Sequence, residues 1–365
     1  MTLIAVTAIL ASIVTAAPVV DTIVRNDDAR LVLSNVHRIV PLPDGSLCVT
    51  YRTPVPNEAS AIGMAMLDAK ANVVEYFSVV DWLPDSADVA EGTLGQVQSL
   101  AVLSSDEMAV SVGWRSRDGR GRNALVVLRR VETTWTPVRF IRGLGALPSL
   151  VAVGDGLLAG TTFIRARATA EAGPPKVTLF NTNGCVLAEL FRSPAGQPGS
   201  TGDSKLAAER GVIAFFDDVE SNVMMFRAEH DRRCRETGFE ADADFPPAAA
   251  AAGPHILAKF DLASGNPRAG LPSIVETMQV LSPTAVAVAA NEMKSAEDVR
   301  TVVTVYDKDV PPEISWAGPF LQASYFAGRT LTGLGRGVEG SLFRRSVPIE
   351  VPAESTAGID KENLR

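Results

Sequence analysis

The feature that most constrains this chain is a recurring unit in which two short apolar runs are separated by a tight turn. The first copy starts at Arg38, turns at Pro43-Asp44-Gly45 and ends at Tyr51. Short turns between alternating apolar runs are typical of β-hairpins. The turns of the later copies are marked by Asp106, Asp155, Arg210, Pro283 and Gly328.

The spacing of these units predicts the fold class. Successive turns are 62, 49, 55, 73 and 45 residues apart, about 57 on average. Most units continue with two more strand-like runs, such as Ile62–Leu67 and Val73–Phe77 in the first. A four-stranded repeat of this length is typical of a propeller blade. We predict an all-β chain folded as a six-bladed β-propeller of four-stranded antiparallel blades, with a long β-sandwich or two all-β domains as alternatives.

A ring of blades must be closed, and closure also removes exposed edge strands. The apolar segment 29–33 precedes the first unit, so we predict that it pairs with the last blade. The propeller then occupies residues 17–352, and the polar residues 353–365 form a flexible tail.

This strand rhythm, with turns such as Leu42-Pro43-Asp44-Gly45, resembles the six-bladed β-propellers of the broad NHL-like superfamily in its exported bacterial versions. The resemblance covers residues 30–350 and lies at the level of architecture. Glu91-Gly92 is similar to the start of the Glu-Gly-Pro motif of gluconolactonase-like propellers, but Thr93 stands in place of the proline. No metal ligands are therefore assigned.

The N-terminus resembles a secretion leader. Residues 1–20 carry no charge, Leu3 to Val14 are mostly apolar, and Val14-Thr15-Ala16 fits a signal-peptidase site. We predict a signal peptide at residues 1–16 and export to the periplasm or cell exterior, with a retained anchor or a buried first strand as alternatives. No later segment is apolar for long enough to span a membrane, so none is expected after leader cleavage.

Composition excludes several other classes. With 34 basic and 42 acidic residues among 365, the net charge of −8 offers no footprint for nucleic acid. Three cysteines permit one disulfide at most and no four-cysteine zinc site. We interpret Cys48 and Cys185 as small buried apolar residues of strands.

Loop lengths indicate which face binds a ligand. The loops between second and third strands, such as Thr53 to Ala61, and the inter-blade links, such as Phe239 to Leu271, are longer than the other turns. Both kinds leave a blade at the same end, and long loops on a rigid scaffold often carry binding residues. Loops that only tolerate insertion would give the same pattern.

The densest charge cluster lies between the second and third strands of the second unit. We predict it as a binding site for carboxylate, phosphate or sulfate, because guanidinium groups match the geometry of these anions. A solvated hairpin tip is the structural alternative. The predicted binding residues are Arg115, Arg117, Arg120 and Arg122.

No local motif points to catalysis, and the catalytic residues are unknown. Gly335 to Gly340 match the dinucleotide-binding pattern, but the residues after them favour a strand where that motif needs a helix. His37, His230 and His255 show no metal spacing. We expect no cofactor.

The sequence predicts an exported, monomeric binding or scaffold module whose ligand face is formed by the long loops and inter-blade links. Its partner would be a protein or another envelope component, and nucleic acid is excluded. The alternative is a metal-dependent hydrolase or lactonase with a divalent metal at the central funnel. A purely structural propeller is a third possibility.

Overall fold

The computed structural model describes residues 20–24, 36–52, 62–69, 72–154, 156–163, 175–192, 204–228, 255–262, 273–293, 295, 298–336 and 342–349. In this part of the chain, strands form six four-stranded antiparallel sheets. The prediction of an all-β, six-bladed β-propeller is confirmed. The predicted leader (1–16) and tail (353–365) lie outside the described residues, which contain no helix long and apolar enough to cross a membrane.

Each of the first five blades is a meander of four consecutive strands, and the sixth blade combines strands from both ends of the chain. Blade 1 holds β2 (Val36–Pro41), β3 (Leu47–Arg52), β4 (Ile62–Leu67) and β5 (Val73–Phe77); blade 2 holds β6 (Gln96–Val102), β7 (Glu107–Arg115), β8 (Gly121–Val131) and β9 (Thr134–Ile141); blade 3 holds β10 (Ala146–Gly154), β11 (Leu157–Phe163), β12 (Pro175–Asn181) and β13 (Val186–Arg192). Blade 4 holds β14 (Lys205–Glu209), β15 (Val212–Asp217), β16 (Asn222–Arg227) and β17 (Ile256–Asp261); blade 5 holds β18 (Ser273–Ser282), β19 (Ala285–Met293), β20 (Val299–Asp307) and β21 (Val310–Pro319); blade 6 holds β22 (Leu321–Ala327), β23 (Thr330–Arg336), β24 (Leu342–Pro348) and β1 (Val20–Val24). Two short 3-10 helices, Val79–Trp82 and Asp85–Ala87, lie between blades 1 and 2.

The N-terminal strand closes the ring, but it is not the predicted one. β1 pairs antiparallel with β24, from Val20 opposite Ser346 to Val24 opposite Leu342. The predicted closing segment 29–33 lies outside the described residues. The chain must return from the outermost strand of blade 6 to the innermost strand of blade 1, across three strand spacings of about 4.8 Å. Residues 25–35 can cross that distance, whereas the two residues left after position 33 could not.

The first strand of each blade is its innermost strand. β2, β6, β10, β14, β18 and β22 each contact the first strands of both neighbouring blades and so surround a central channel. Six apolar clusters fill the space between the blades, one at each junction, including the junction of blades 6 and 1. Because neighbours cover both faces of a blade, a second strand such as β7 is buried at seven of its nine positions.

Side chains of one blade cap the backbone of the next blade's first strand. The N–H of Leu147 in β10 donates to Gln98 and Ser111 of blade 2, and its carbonyl accepts from Ser99. Between blades 6 and 1, Gln322 donates to the carbonyl of Val36. These bonds supply partners to an inner edge that no further strand covers.

The same capping joins blades 5 and 6. The N–H of Leu321 in β22 donates to Thr301 Oγ1 at 2.7 Å, and its carbonyl accepts from Asn291 Nδ2 at 3.2 Å. All three residues are at least 95% buried. Thr301 in turn donates to Asn291 Oδ1, so the whole network is satisfied within the protein.

Blade 4 departs from the predicted loop pattern. Its second and third strands are joined by the short turn 218–221, and residues 228–255 lie between its third and fourth strands. The predicted link from Phe239 to Leu271 is therefore wrong, because Ile256–Asp261 inside it forms β17. Loops between third and fourth strands lie at the end of a blade that carries the short turns. This long insertion therefore begins and ends on the short-turn face, not on the long-loop face.

The cysteines differ in state. Cys48 is free and fully buried, and its burial raises the pKa of the thiol. Cys185 is disulfide-bonded, which corrects its interpretation as a plain buried residue. Only Cys234 remains as a partner among the three cysteines, and it lies outside the described residues.

Thr301→Val tests the capping network. It keeps the side-chain shape but removes the acceptor of the Leu321 N–H, so we expect unfolding free energy to fall by about 1–3 kcal/mol. Urea titration of both proteins measures the change.

Thr136→Val is the matched control, because the Thr136 hydroxyl donates only to a surface carbonyl, that of Arg129 at 3.3 Å. It should change stability by less than about 0.5 kcal/mol. Equal losses in the two variants would show that the buried bond contributes no net stability.

Candidate functional site

A β-bulge interrupts the first strand of most blades close to its start. In β2, Val36 pairs with Tyr51 and Arg38 with Thr50, so His37 is the extra residue. The same shift in register makes Gln98, Glu276 and Gln322 the extra residues of β6, β18 and β22. Bulges redirect side chains and are frequent beside functional sites.

Blades 3 and 4 vary this pattern. The register shift in β10 spans Leu147 and Pro148, and β14 has no shift but starts at Lys205. In all six blades the preceding residue is buried, while the residue at the bulge position is at least partly exposed. We call these six residues the channel ring: His37, Gln98, Pro148, Lys205, Glu276 and Gln322.

The channel ring lies at the mouth of the channel on the long-loop face. Its members stand at the start of the innermost strands, where the inter-blade links enter. The ring was not identified from the sequence. The only indication in the sequence was a polar residue after an apolar one in the first apolar run of a unit, as in Val275-Glu276.

The pKa of His37 reflects burial and positive charge at the channel ring. This pKa is lowered to about 4, first by burial and then by the positive charges of Arg38, Lys205 and Arg52. The side chain is nevertheless exposed, as expected for a group that meets solvent in a narrow channel. Blade 4 stands opposite blade 1 in a ring of six, so His37 and Lys205 belong to first strands on opposite sides of the channel.

Blade 2 contributes a cluster of amides to the same mouth. Gln98 Oε1 accepts from Ser111 Oγ at 2.8 Å, and Gln98 Nε2 donates to Asn123 Oδ1 at 2.6 Å. The cluster packs over Gly113, where a Cβ would lie 2.9 Å from Gln98 Nε2 and 3.3 Å from Gln96 Nε2. A side chain at this position would therefore require the amides to shift.

Other ring members are held in the same way. Glu276 accepts from Asn291 Nδ2 at 3.0 Å, and Gln322 Nε2 donates to the carbonyl of Val36 at 3.1 Å. These bonds fix side chains before any ligand arrives, which lowers the entropic cost of binding.

The structure places the predicted arginine cluster on the same face, in blade 2. Arg115 ends β7, Arg122 lies in β8, and Arg117 and Arg120 lie in the loop between them. Asp118 accepts from Arg122 at 3.0 Å and lies 3.7 Å from Arg120.

The hairpin also packs on the link between blades 1 and 2. Arg117 lies 3.6 Å from the Asp88 carboxylate, and its N–H donates to the Asp88 carbonyl. The Trp114 indole beneath donates to the Ala87 carbonyl at 3.0 Å. The hairpin is thus an ordered, partly neutralised surface, and its role in binding stays a prediction.

An open groove of about 260 Å³ lies at the opposite face, between blades 1 and 2. Arg130 of blade 2 binds Asp44 of blade 1 across it at 2.7 Å. The Ser46 hydroxyl and then Arg130 lower the pKa of Asp44 to about 2, whereas burial raises that of Glu75. Within the described ranges, no three His, Cys, Asp or Glu side chains are placed to hold a metal ion, here or at the channel mouth.

No protein-family model and no curated protein matches the sequence. Solved structures do resemble it. A candidate oxidoreductase (glucose dehydrogenase) from Thermus thermophilus is 14% identical, with a TM-score of 0.46, 90% of this chain covered and 99% of that one. The soluble aldose sugar dehydrogenase of Escherichia coli, in its apo form, is 12% identical, with a TM-score of 0.47 and coverages of 90% and 100%. A Hadza microbial sialidase is 13% identical, with a TM-score of 0.43 and coverages of 86% and 66%. At these values the likeness assigns no activity to this chain.

Lys205→Met tests whether the two side chains face each other across the channel. Removing the positive charge should favour the imidazolium form, so the pKa of His37 should rise above its value of about 4. An NMR titration of the imidazole protons measures it, with His37→Gln identifying the signal among the three histidines.

Lys259→Met is the control. Lys259 lies in the outermost strand of the same blade and pairs with Glu220, so its removal should leave the titration of His37 unchanged. An unshifted pKa in Lys205→Met would refute the proposed geometry.

Proposed function

We propose that this chain is a non-catalytic binding module of the periplasm or cell exterior, which captures a small polar ligand at the channel ring. The observation that supports it is that the same position of the first strand recurs in each blade at the mouth of one channel. In most blades a bulge redirects the side chain at this position. Membership of the NHL-like superfamily is part of the proposal.

The chemistry of the ring favours binding by hydrogen bonds. The low pKa keeps the His37 imidazole neutral at pH 7, so one nitrogen donates and the other accepts. Gln98 and Gln322 add amides, and Lys205 adds an ammonium group. Such a set suits a ligand rich in oxygen atoms.

Two observations support export. The first is the leader pattern before Ala16, and the second is the disulfide at Cys185. Disulfides persist mainly in oxidising compartments. The turn that carries Cys185 and the insertion 228–255 that carries Cys234 both leave at the short-turn face.

The double variant His37→Ala/Lys205→Ala tests the site. We expect at least one member of a panel of monosaccharides, uronic acids and dicarboxylates to bind the wild-type protein in saturation-transfer NMR. The affinity of that compound should fall at least tenfold in the variant, because both groups facing the channel are lost.

His255→Ala/Lys259→Ala is the matched control, with the same residue types removed from the rim of blade 4. It should bind as the wild type does. Absence of binding across the panel, or equal binding by the ring variant, would refute the proposal.

The arginine cluster provides a second, separable contact on the same face, and dextran sulfate is a suitable anionic probe. We expect Arg115→Ala/Arg117→Ala/Arg120→Ala to weaken its binding at low salt at least tenfold, while Arg122 still holds Asp118 in the turn. Biolayer interferometry measures the affinity.

The control Arg129→Ala/Arg210→Ala/Arg329→Ala removes the same charge from the opposite face. Equal loss in both triple variants would show that only net charge matters, and it would eliminate the hairpin as a site. No loss even with all four arginines replaced would eliminate it as well.

A further inference from the structure

The electrostatic character of the channel mouth differs from that of the whole chain. The total charge is −8, yet Arg38, Arg52 and Lys205 all act on His37 at the mouth. The remaining charges of the first strands are two carboxylates. Glu209 lies at the far end of β14, 3.7 Å from Arg210, and Glu276 in the ring accepts from Asn291.

The positive groups come from opposite sides of the channel. Arg38 and Arg52 belong to β2 and β3 of blade 1, and Lys205 belongs to blade 4. Positive groups from two opposite blades therefore attract an anion at the mouth. In a narrow channel this attraction is screened less than at an open surface.

The amide side of the mouth adds a second kind of contact. Gln96, Gln98 and Asn123 cluster over Gly113 in blade 2. Primary amides donate and accept at once, as hydroxyl groups do, so this cluster matches neighbouring hydroxyls of a ligand.

From this juxtaposition we infer that the channel ring binds a small hydroxylated carboxylate of the uronic-acid class. Its carboxylate lies between His37 and Lys205, and its hydroxyls contact the amides of blade 2. The inference rests on the proposed function and adds the ligand class to it.

Binding should be coupled to protonation of His37. A bound carboxylate favours the imidazolium form, so the pKa of His37 rises in the complex and affinity increases as pH falls from 7 towards 5. The charged groups that act on His37 from the surrounding strands are Arg38, Lys205 and Arg52.

The experiment compares glucuronate with glucuronamide, which has the same shape and hydroxyls without the charge, and with glucose. We expect calorimetry at low salt to show glucuronate binding at least tenfold tighter than glucuronamide. Lys205→Met should remove most of that ratio, and Lys259→Met should leave it unchanged. NMR should show a higher pKa of His37 in the glucuronate complex.

The outcomes separate the inference from the proposed function. If glucose or glucuronamide binds as tightly as glucuronate and binding still requires the ring, the uronate inference is wrong and the proposed function stands. An unchanged ratio in Lys205→Met also overturns the inference. If none of the three compounds binds, the inference fails, and the wider panel decides the proposed function.

Discussion

The first strand of every blade has a strand partner on one side only, because its other edge borders the channel. Buried N–H and carbonyl groups without partners cost free energy, and no further strand can enter this space. The chain meets the requirement with side chains from the preceding blade, as Thr301 and Asn291 do for Leu321. The hydrogen bonds that satisfy the inner edge therefore also join the blades. The bond from Gln322 to the Val36 carbonyl joins the last blade to the first in this way.

The same edge explains the position of the candidate site. In blades 6 and 1, a bulge releases one residue of the first strand from the regular ladder, directly after a residue whose backbone is capped, Leu321 or Val36. The bulges of four blades place His37, Gln98, Glu276 and Gln322 at one level of the channel. Side chains that are far apart in sequence become neighbours because each blade repeats one local geometry.

Much of the architecture could be predicted from the sequence, since turns such as Pro43-Asp44-Gly45 punctuate local hairpins and their spacing indicates the number of blades. Pairing between distant segments left no such local signal. The closing strand is Val20–Val24 and not 29–33. The strand Ile256–Asp261 was missed because the insertion before it is as long as an inter-blade link. The channel ring was missed because it depends on register shifts and on which blades stand opposite, as His37 and Lys205 do. The arginine cluster was visible because its residues are adjacent, but its contacts with Asp88 and Asp118 required the structure.

Closure by β1 has a consequence for how the molecule acquires its shape. The strand at residues 20–24 pairs with residues 342–348, so the ring can close only after the strand at 342–348 has been synthesised. Until then the apolar faces of blades 1 and 6 that meet at their junction have no cover. Contacts of such long sequence separation form slowly, and exposed apolar surface in the interval favours aggregation. Efficient folding of this protein therefore requires that the partly folded chain, with its ring of blades still open, does not aggregate before the strands of blade 6 are synthesised.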